Sequence, residues 1–256
     1  MQRTAASVTA LAVAAGICAL GSPATGQTAK SKVAPDPLAR GQQVYMEQCA
    51  SCHGAKGDGE GPGAYILSQA PRNFTLGAFK FRSTRGGEAP TDEDLFRTIT
   101  KGLAGETGAM MPSFAALPEA DRWALVAVVK RFAGITKVGR PVDVPPEPQA
   151  KHLAVGAAVY ERLQCASCHG SAGHGDGPSS TTLKDDQRRR VWAPNLTRGL
   201  FKRGETSKDI YLSFVTGLDG SPMPSYADKA TPDELWALTH YLQSLDANSN
   251  PEANKR

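Results

Sequence analysis

Aromatic residues make up only 7 % of this 256-residue chain, and its five cysteines leave none to spare for a disulfide framework. One of them, Cys18, lies in an apolar leader; the other four form two Cys-x-x-Cys pairs, each followed by histidine. No stretch beyond the leader is long and apolar enough to span a bilayer. No run alternates between apolar and polar residues in the manner of a half-buried strand, which points to an all-α fold. The formal charge is only +4, with no basic stripe interleaved with aromatics, and this argues against a nucleic-acid partner. By contrast, glycine and proline are plentiful, at 26 and 18 residues, as expected where short helices are joined by many turns.

The most informative segment present is Cys49-Ala50-Ser51-Cys52-His53, which recurs as Cys165-Ala166-Ser167-Cys168-His169. On a helical turn, positions i, i+3 and i+4 share one face. Both thiols and the imidazole can therefore meet one flat ligand. Cys-x-x-Cys-His is the signature of c-type haem attachment, with thioethers from the cysteines and iron ligation by the histidine. The sequence thus predicts two covalent haem c groups, with His53 and His169 as proximal iron ligands. A haem also fills core volume, which suits the modest aromatic content, and the propionates of two haems would bring the net charge near neutrality.

The repeat extends well beyond those motifs. Gly41, Val44 and Tyr45 match Gly156, Val159 and Tyr160; Asn73, Thr75, Phe79 and Lys80 match Asn195, Thr197, Phe201 and Lys202. Met111-Pro112-Ser113-Phe114 matches Met223-Pro224-Ser225-Tyr226, and Trp123 matches Trp236. Two copies of one domain are expected over 36–136 and 150–246. Between them lies a stiff, extended, proline-rich linker at 137–149, and a polar tail follows at 247–256. Leu125, Val128, Val129 and Phe132 form a helical stripe that Leu238, Tyr241, Leu242 and Leu245 repeat. Thr231-Pro232-Asp233-Glu234 is a capping box, and Thr91 with Asp94 and Thr206 with Asp209 open helices in the same manner. The sixth iron ligands are expected from the matched loops, Met111 in the first copy and Met223 in the second. Thioether sulfur raises the potential of His-ligated iron. Met110 is the rival to Met111, and the duplication favours Met111, because Pro222 stands before Met223.

Residues 1–26 read as a secretory signal: Arg3 at the start, an apolar run Ala5–Leu20, and Ala24-Thr25-Gly26 before Gln27. An uncleaved anchor is the alternative. The mature product is expected to be periplasmic and soluble, with no transmembrane segment.

With these motifs in hand, the chain resembles a two-domain, dihaem class I cytochrome c of the periplasmic electron-carrier kind. The resemblance implies that each domain wraps one covalent haem. It also implies that the carbonyls of Pro62 and Pro178, nine residues after each histidine, accept the imidazole N–H. Trp123 and Trp236 would lie in the cores near the haems. The second copy carries an insertion around Lys184–Arg190, a candidate for steering an acidic partner or a merely solvated loop. His174 is a candidate alternative ligand, weaker than a plain surface reading; His152 and His240 are read as surface residues. The expected function is carriage of single electrons between protein redox partners, with no enzymatic activity. The alternatives are a haem subunit of a larger dehydrogenase, reductase or oxidase, and a dihaem peroxidase or thiosulfate-oxidising enzyme.

Overall fold

Helix α1 (Pro37–Gln48) runs into the single-turn α2 (Ala50–His53), and α3 (Asp92–Lys101) and α4 (Glu119–Phe132) complete the first half. The second half repeats the order with α5 (Leu153–Arg162), α6 (Ala166–His169), α7 (Ser207–Thr216) and α8 (Pro232–Ser244). The computed structural model describes residues 36–103 and 111–246. The leader, the polar tail and Met110 lie outside the described residues. Among those described, the only strand-like pairings are two isolated bridges, so the all-α expectation holds.

Local sequence explains where the helices begin. The Thr91 side chain accepts from the backbone N–H of Asp94 while Asp94 answers at the Thr91 N–H, and Thr231 and Glu234 repeat that box at α8. Thr206 caps α7 through the Asp209 N–H. The helical stripes face inward. Leu125, Val128 and Val129 are buried in the first core with Phe132 packed on it, and Leu238 and Leu242 are buried in the second core beside Tyr241 and Leu245.

Each half is organised by a helix crossing, α1 on α4 and α5 on α8. Glycine makes that crossing possible. A Cβ at Gly41 would stand 2.4 Å from the Ala124 carbonyl oxygen, and one at Gly156 would stand 2.1 Å from that of Ala237.

The proline-rich segment carries no helix, and this strap is no free spacer. Gly139 N–H donates to the Ala89 carbonyl and Val142 N–H to that of Ser83, both in the first half. Val144 then packs on the second core, and Glu147 meets His240 Nε2 at 2.9 Å. This corrects the reading of His240 as a surface residue: it is 2 % exposed. His152 and His174 are exposed.

The matched tryptophans differ in burial. Trp236 is 2 % exposed, whereas Trp123 is 37 % exposed and stacks on Phe96 at 4.1 Å. The expectation of two core tryptophans fails for Trp123; Trp236 is flanked by both Tyr211 and His240, and Trp123 stacks on Phe96.

The halves meet along a polar seam. Arg82 of the first half reaches the Thr216 carbonyl at 2.8 Å and Asp219 at 2.7 Å. Arg97 binds the Arg203 carbonyl and Asp209, and Arg203 in turn donates to the Arg82 carbonyl.

Candidate functional site

Each Cys-x-x-Cys-His motif sits on a single helical turn directly after the first long helix of its half. Cys49 ends α1 and opens α2, and the His53 N–H donates back to the Cys49 carbonyl at 2.9 Å; the His169 N–H repeats this to Cys165. Gly54 and Gly170 stop the turns with φ of 76° and 79°, a region glycine enters without steric cost. Their carbonyls accept the hydroxyls of Tyr45 and Tyr160, each at 2.7 Å. These two buried tyrosines hold the end of each motif against the core.

The four thiols are unpaired and half-buried. Burial pushes the Cys49 and Cys165 thiols up to about 11. Burial also lowers both imidazoles, opposed by their backbone hydrogen bonds. His53 Nδ1 lies 3.0 Å from the Arg72 carbonyl, and His169 Nδ1 lies 3.2 Å from that of Pro194. A carbonyl only accepts, so Nδ1 carries the proton and Nε2 keeps its lone pair. That is the tautomer a metal-ligating imidazole needs, with its second nitrogen anchored.

The acceptor carbonyls differ from those expected. Pro62 and Pro178 do not receive the imidazoles. The preceding Gly61 and Gly177 instead donate to the Cys52 and Cys168 carbonyls. Their missing side chains matter there, because a Cβ at either would lie 2.4 Å from a motif carbonyl. The true acceptors immediately precede Asn73 and Asn195, whose side chains cap the 3₁₀ turns Phe74–Leu76 and Leu196–Arg198. That matched Asn-x-Thr pair was the available signal.

The methionine loops are duplicated bond for bond. The Leu103 N–H donates to the Met111 carbonyl at 2.8 Å, and the Leu218 N–H to the Met223 carbonyl at 3.0 Å. The hydroxyls of Ser113 and Ser225 donate to the Thr100 and Val215 carbonyls, tying each loop to the helix before it. Met111 packs on the cluster that includes Cys49, and Met223 on the one that includes Cys165. Burial raises the Tyr226 phenol to about 12, with Cys165 and Cys168 adding to the effect, so the second loop lies over its motif. Met46 is half-exposed.

The insertion is tied to itself. Asp185 accepts from the Gln187 and Arg189 N–H groups and pairs with the Arg189 side chain at 3.0 Å, while Arg190 lies over the Trp192 ring.

Two thiols, an anchored imidazole and a thioether loop in each half fit one haem c per half. Comparison with known proteins agrees. Residues 36–128 match the family described as cytochrome c oxidase, cbb3-type, subunit III, and residues 153–246 match the cytochrome c family. The chain is similar to the cbb3-type cytochrome c oxidase subunit FixP of Azorhizobium caulinodans, 26 % identical over 81 % of this chain and 59 % of that one. It is also similar to the cytochrome bc1 complex cytochrome c subunit of Mycobacterium bovis, 29 % identical over 69 % of this chain and 58 % of the relative. The chain thus spans less than three fifths of either relative's length. A solved chain of the Kuenenia stuttgartiensis reducing HAO-like protein complex matches with a TM-score of 0.77 and 41 % identity, covering 81 % of this chain and 96 % of that chain. The protein belongs to the class I cytochromes c, as a two-domain member with two covalent haem c groups. It is an electron-transfer protein. No helix among the described residues is long and apolar enough to cross a membrane.

Proposed function

We propose that this cytochrome is a periplasmic relay that moves single electrons between protein redox partners and performs no chemistry of its own. The domains of the relay are 36–136 and 150–246, with 1–26 removed on export. In each, the paired cysteines (Cys49 and Cys52, Cys165 and Cys168) fasten the haem. His53 and Met111 hold one iron; His169 and Met223 hold the other.

The observation that carries this reading is the identical anchoring of the two Met-Pro-Ser-aromatic loops. A methionine that merely filled core would not need its loop bonded in the same way twice. The bound haem supplies one-electron exchange at iron. The Arg72 and Pro194 carbonyls fix the imidazoles, and Met111 and Met223 would each supply a soft sulfur to an iron, which would keep small molecules from the metal. His/Met coordination raises the potential into a carrier's range.

Carbon monoxide tests the relay against an enzyme. Reduced protein with both irons six-coordinate is expected to bind it poorly, and the mass of the mature chain is expected to exceed its polypeptide by two haems. Ready carbon monoxide binding at either iron, with peroxide or thiosulfate turnover, would overturn the proposal.

A second reading has its own support: the relatives named above are subunits of oxidase, bc1 and HAO-like complexes. The same relay would then work as a bound subunit. Purification from the native source under mild conditions separates the two, since a carrier elutes alone and a subunit elutes with its complex.

A further inference from the structure

The seam between the halves holds more positive charge than its own carboxylates neutralise. Arg203 is 5 % exposed, and its Nη2 donates to the Arg82 carbonyl at 2.6 Å. Among the described residues its Nε and Nη1 have no hydrogen-bond partner. The Asp209 carboxylate stands 4.0 Å from Nε, beyond bonding distance, and is taken by Arg97 at 2.7 Å and by the Thr206 hydroxyl. Arg72 Nη1 is likewise buried without a partner. Lys80 lies near Arg72 and Lys202, and burial with those two charges lowers its ammonium to about 8.

The remaining acids are committed or few. Asp94 serves Ser83 and Thr91, Asp219 serves Arg82 and Gly87, and Asp185 serves its own loop and Arg189. Asp186, beside Gly220, is the acid that acts most strongly on Arg72, with Asp185 and Asp219 adding to it although both are held by other donors. A cavity of about 10 Å³ in the same seam is lined by Arg97, Lys101, Lys202 and Arg203, with no acidic side chain among the described residues. Buried guanidinium donors without acceptors are costly, and more so because they are charged.

The position of these cations identifies the missing anion. Arg72 offers its own carbonyl to His53, so its side chain starts at the histidine face of the first haem site. The cation-lined cavity includes Gly102 and Leu103, and the Leu103 N–H bonds the Met111 carbonyl. Cations thus border two chain segments that belong to the first haem half. Each covalent haem brings two carboxylates of its own.

We infer that Arg72, Lys80 and Arg203 receive haem propionate carboxylates at the seam, so that the charges joining the two halves also set the iron potentials. This rests on the presence of the haems and not on the identity of the sixth ligands. These residues position and tune; none touches iron. Removing a cation beside a haem favours the ferric state and lowers its potential.

The test is spectroelectrochemical titration of Arg72→Met, Lys80→Met and Arg203→Met, each first shown by pyridine haemochromogen assay to hold both haems. At least one midpoint is expected to fall by a tenfold change in the ferric-to-ferrous ratio, about 59 mV for one electron. Arg203→Lys is expected to keep most of the parental value. Parental potentials in all three neutral variants would overturn the assignment, as would equal shifts in Arg203→Lys and Arg203→Met, which would mark a packing effect.

If the variants lose haem, the parent protein still decides. Redox-difference infrared spectra of protein carrying haem labelled with ¹³C at the propionate carboxyls are expected to show ion-paired, solvent-shielded carboxylates. Labelled bands typical of free, hydrated carboxylates would overturn the proposal. So would parental potentials that fall as phosphate or chloride is raised at constant ionic strength, because a solution anion would then occupy the seam.

Discussion

Arg82 and Asp219, 137 positions apart in sequence, lie 2.7 Å from each other, with the arginine side chain wholly shielded from water. The same guanidinium donates to the carbonyls of Phe79, Arg85 and Thr216. Four acceptors from both halves converge on one side chain, so the two haem sites are held in a fixed mutual arrangement. For a relay this matters, since transfer between irons depends on a constant separation.

Removing that side chain is therefore expected to be severe. Arg82→Ala leaves Asp219 and several carbonyls without their donor, and breaking a buried ion pair costs about 3–5 kcal/mol. Chemical denaturation of the holoprotein should show a loss of that order, with the halves unfolding in separate steps. A single transition at parental denaturant concentration would show that the seam contributes little.

The methionine assignment has a spectroscopic test. Met111→Ala and Met223→Ala are each expected to remove about half of the weak near-infrared sulfur-to-iron band and to lower one potential. An intact band in Met111→Ala would transfer the role to Met110.

The helix crossing can be tested through one hydrogen replaced by one methyl. Gly156→Ala places a Cβ 2.1 Å from the Ala237 carbonyl oxygen, a contact that forces α5 away from α8. Overpacking of this kind costs about 1–3 kcal/mol. Thermal unfolding is expected at a lower midpoint, with the second haem site the more affected. Ala at Gly134, which has no atoms within 4 Å but a positive φ, is the control for backbone strain alone.

Glu147 gives the strap a pH dependence. Burial opposes its ionisation, but hydrogen bonds from His240 and Ser207 outweigh this and hold its carboxyl below the usual 4.5. A carboxylate whose pKa is lowered on folding adds stability above its unfolded value and loses it as pH falls through the folded one. With the side chain 42 % exposed, the effect is small. Parent and Glu147→Gln should differ in unfolding midpoint near pH 7 and converge below pH 4.5. A constant difference over that range would dismiss the carboxylate's role.

What the sequence by itself determined was everything set by short-range spacing. Cys-x-x-Cys-His dictates haem number because the chemistry needs one helical face. The inward stripes of α4 and α8, and the Thr91 and Thr231 boxes, follow from a 3.6-residue period and a three-residue offset. The tertiary structure decided what depends on a distant segment arriving at a given face. It moved the imidazole acceptors from Pro62 and Pro178 to Arg72 and Pro194, because the Asn-capped turns, not the Gly-Pro turns, bring a carbonyl within 3.2 Å of the rings. Trp236 is buried between Tyr211 and His240, whereas Trp123 is left half-exposed against Phe96. His240 is buried against a segment that no local pattern brings to it, since Glu147 lies 93 positions away in sequence. Nor does any local pattern foretell the seam, where Arg82, Arg97 and Arg203 find acceptors more than a hundred positions away in sequence.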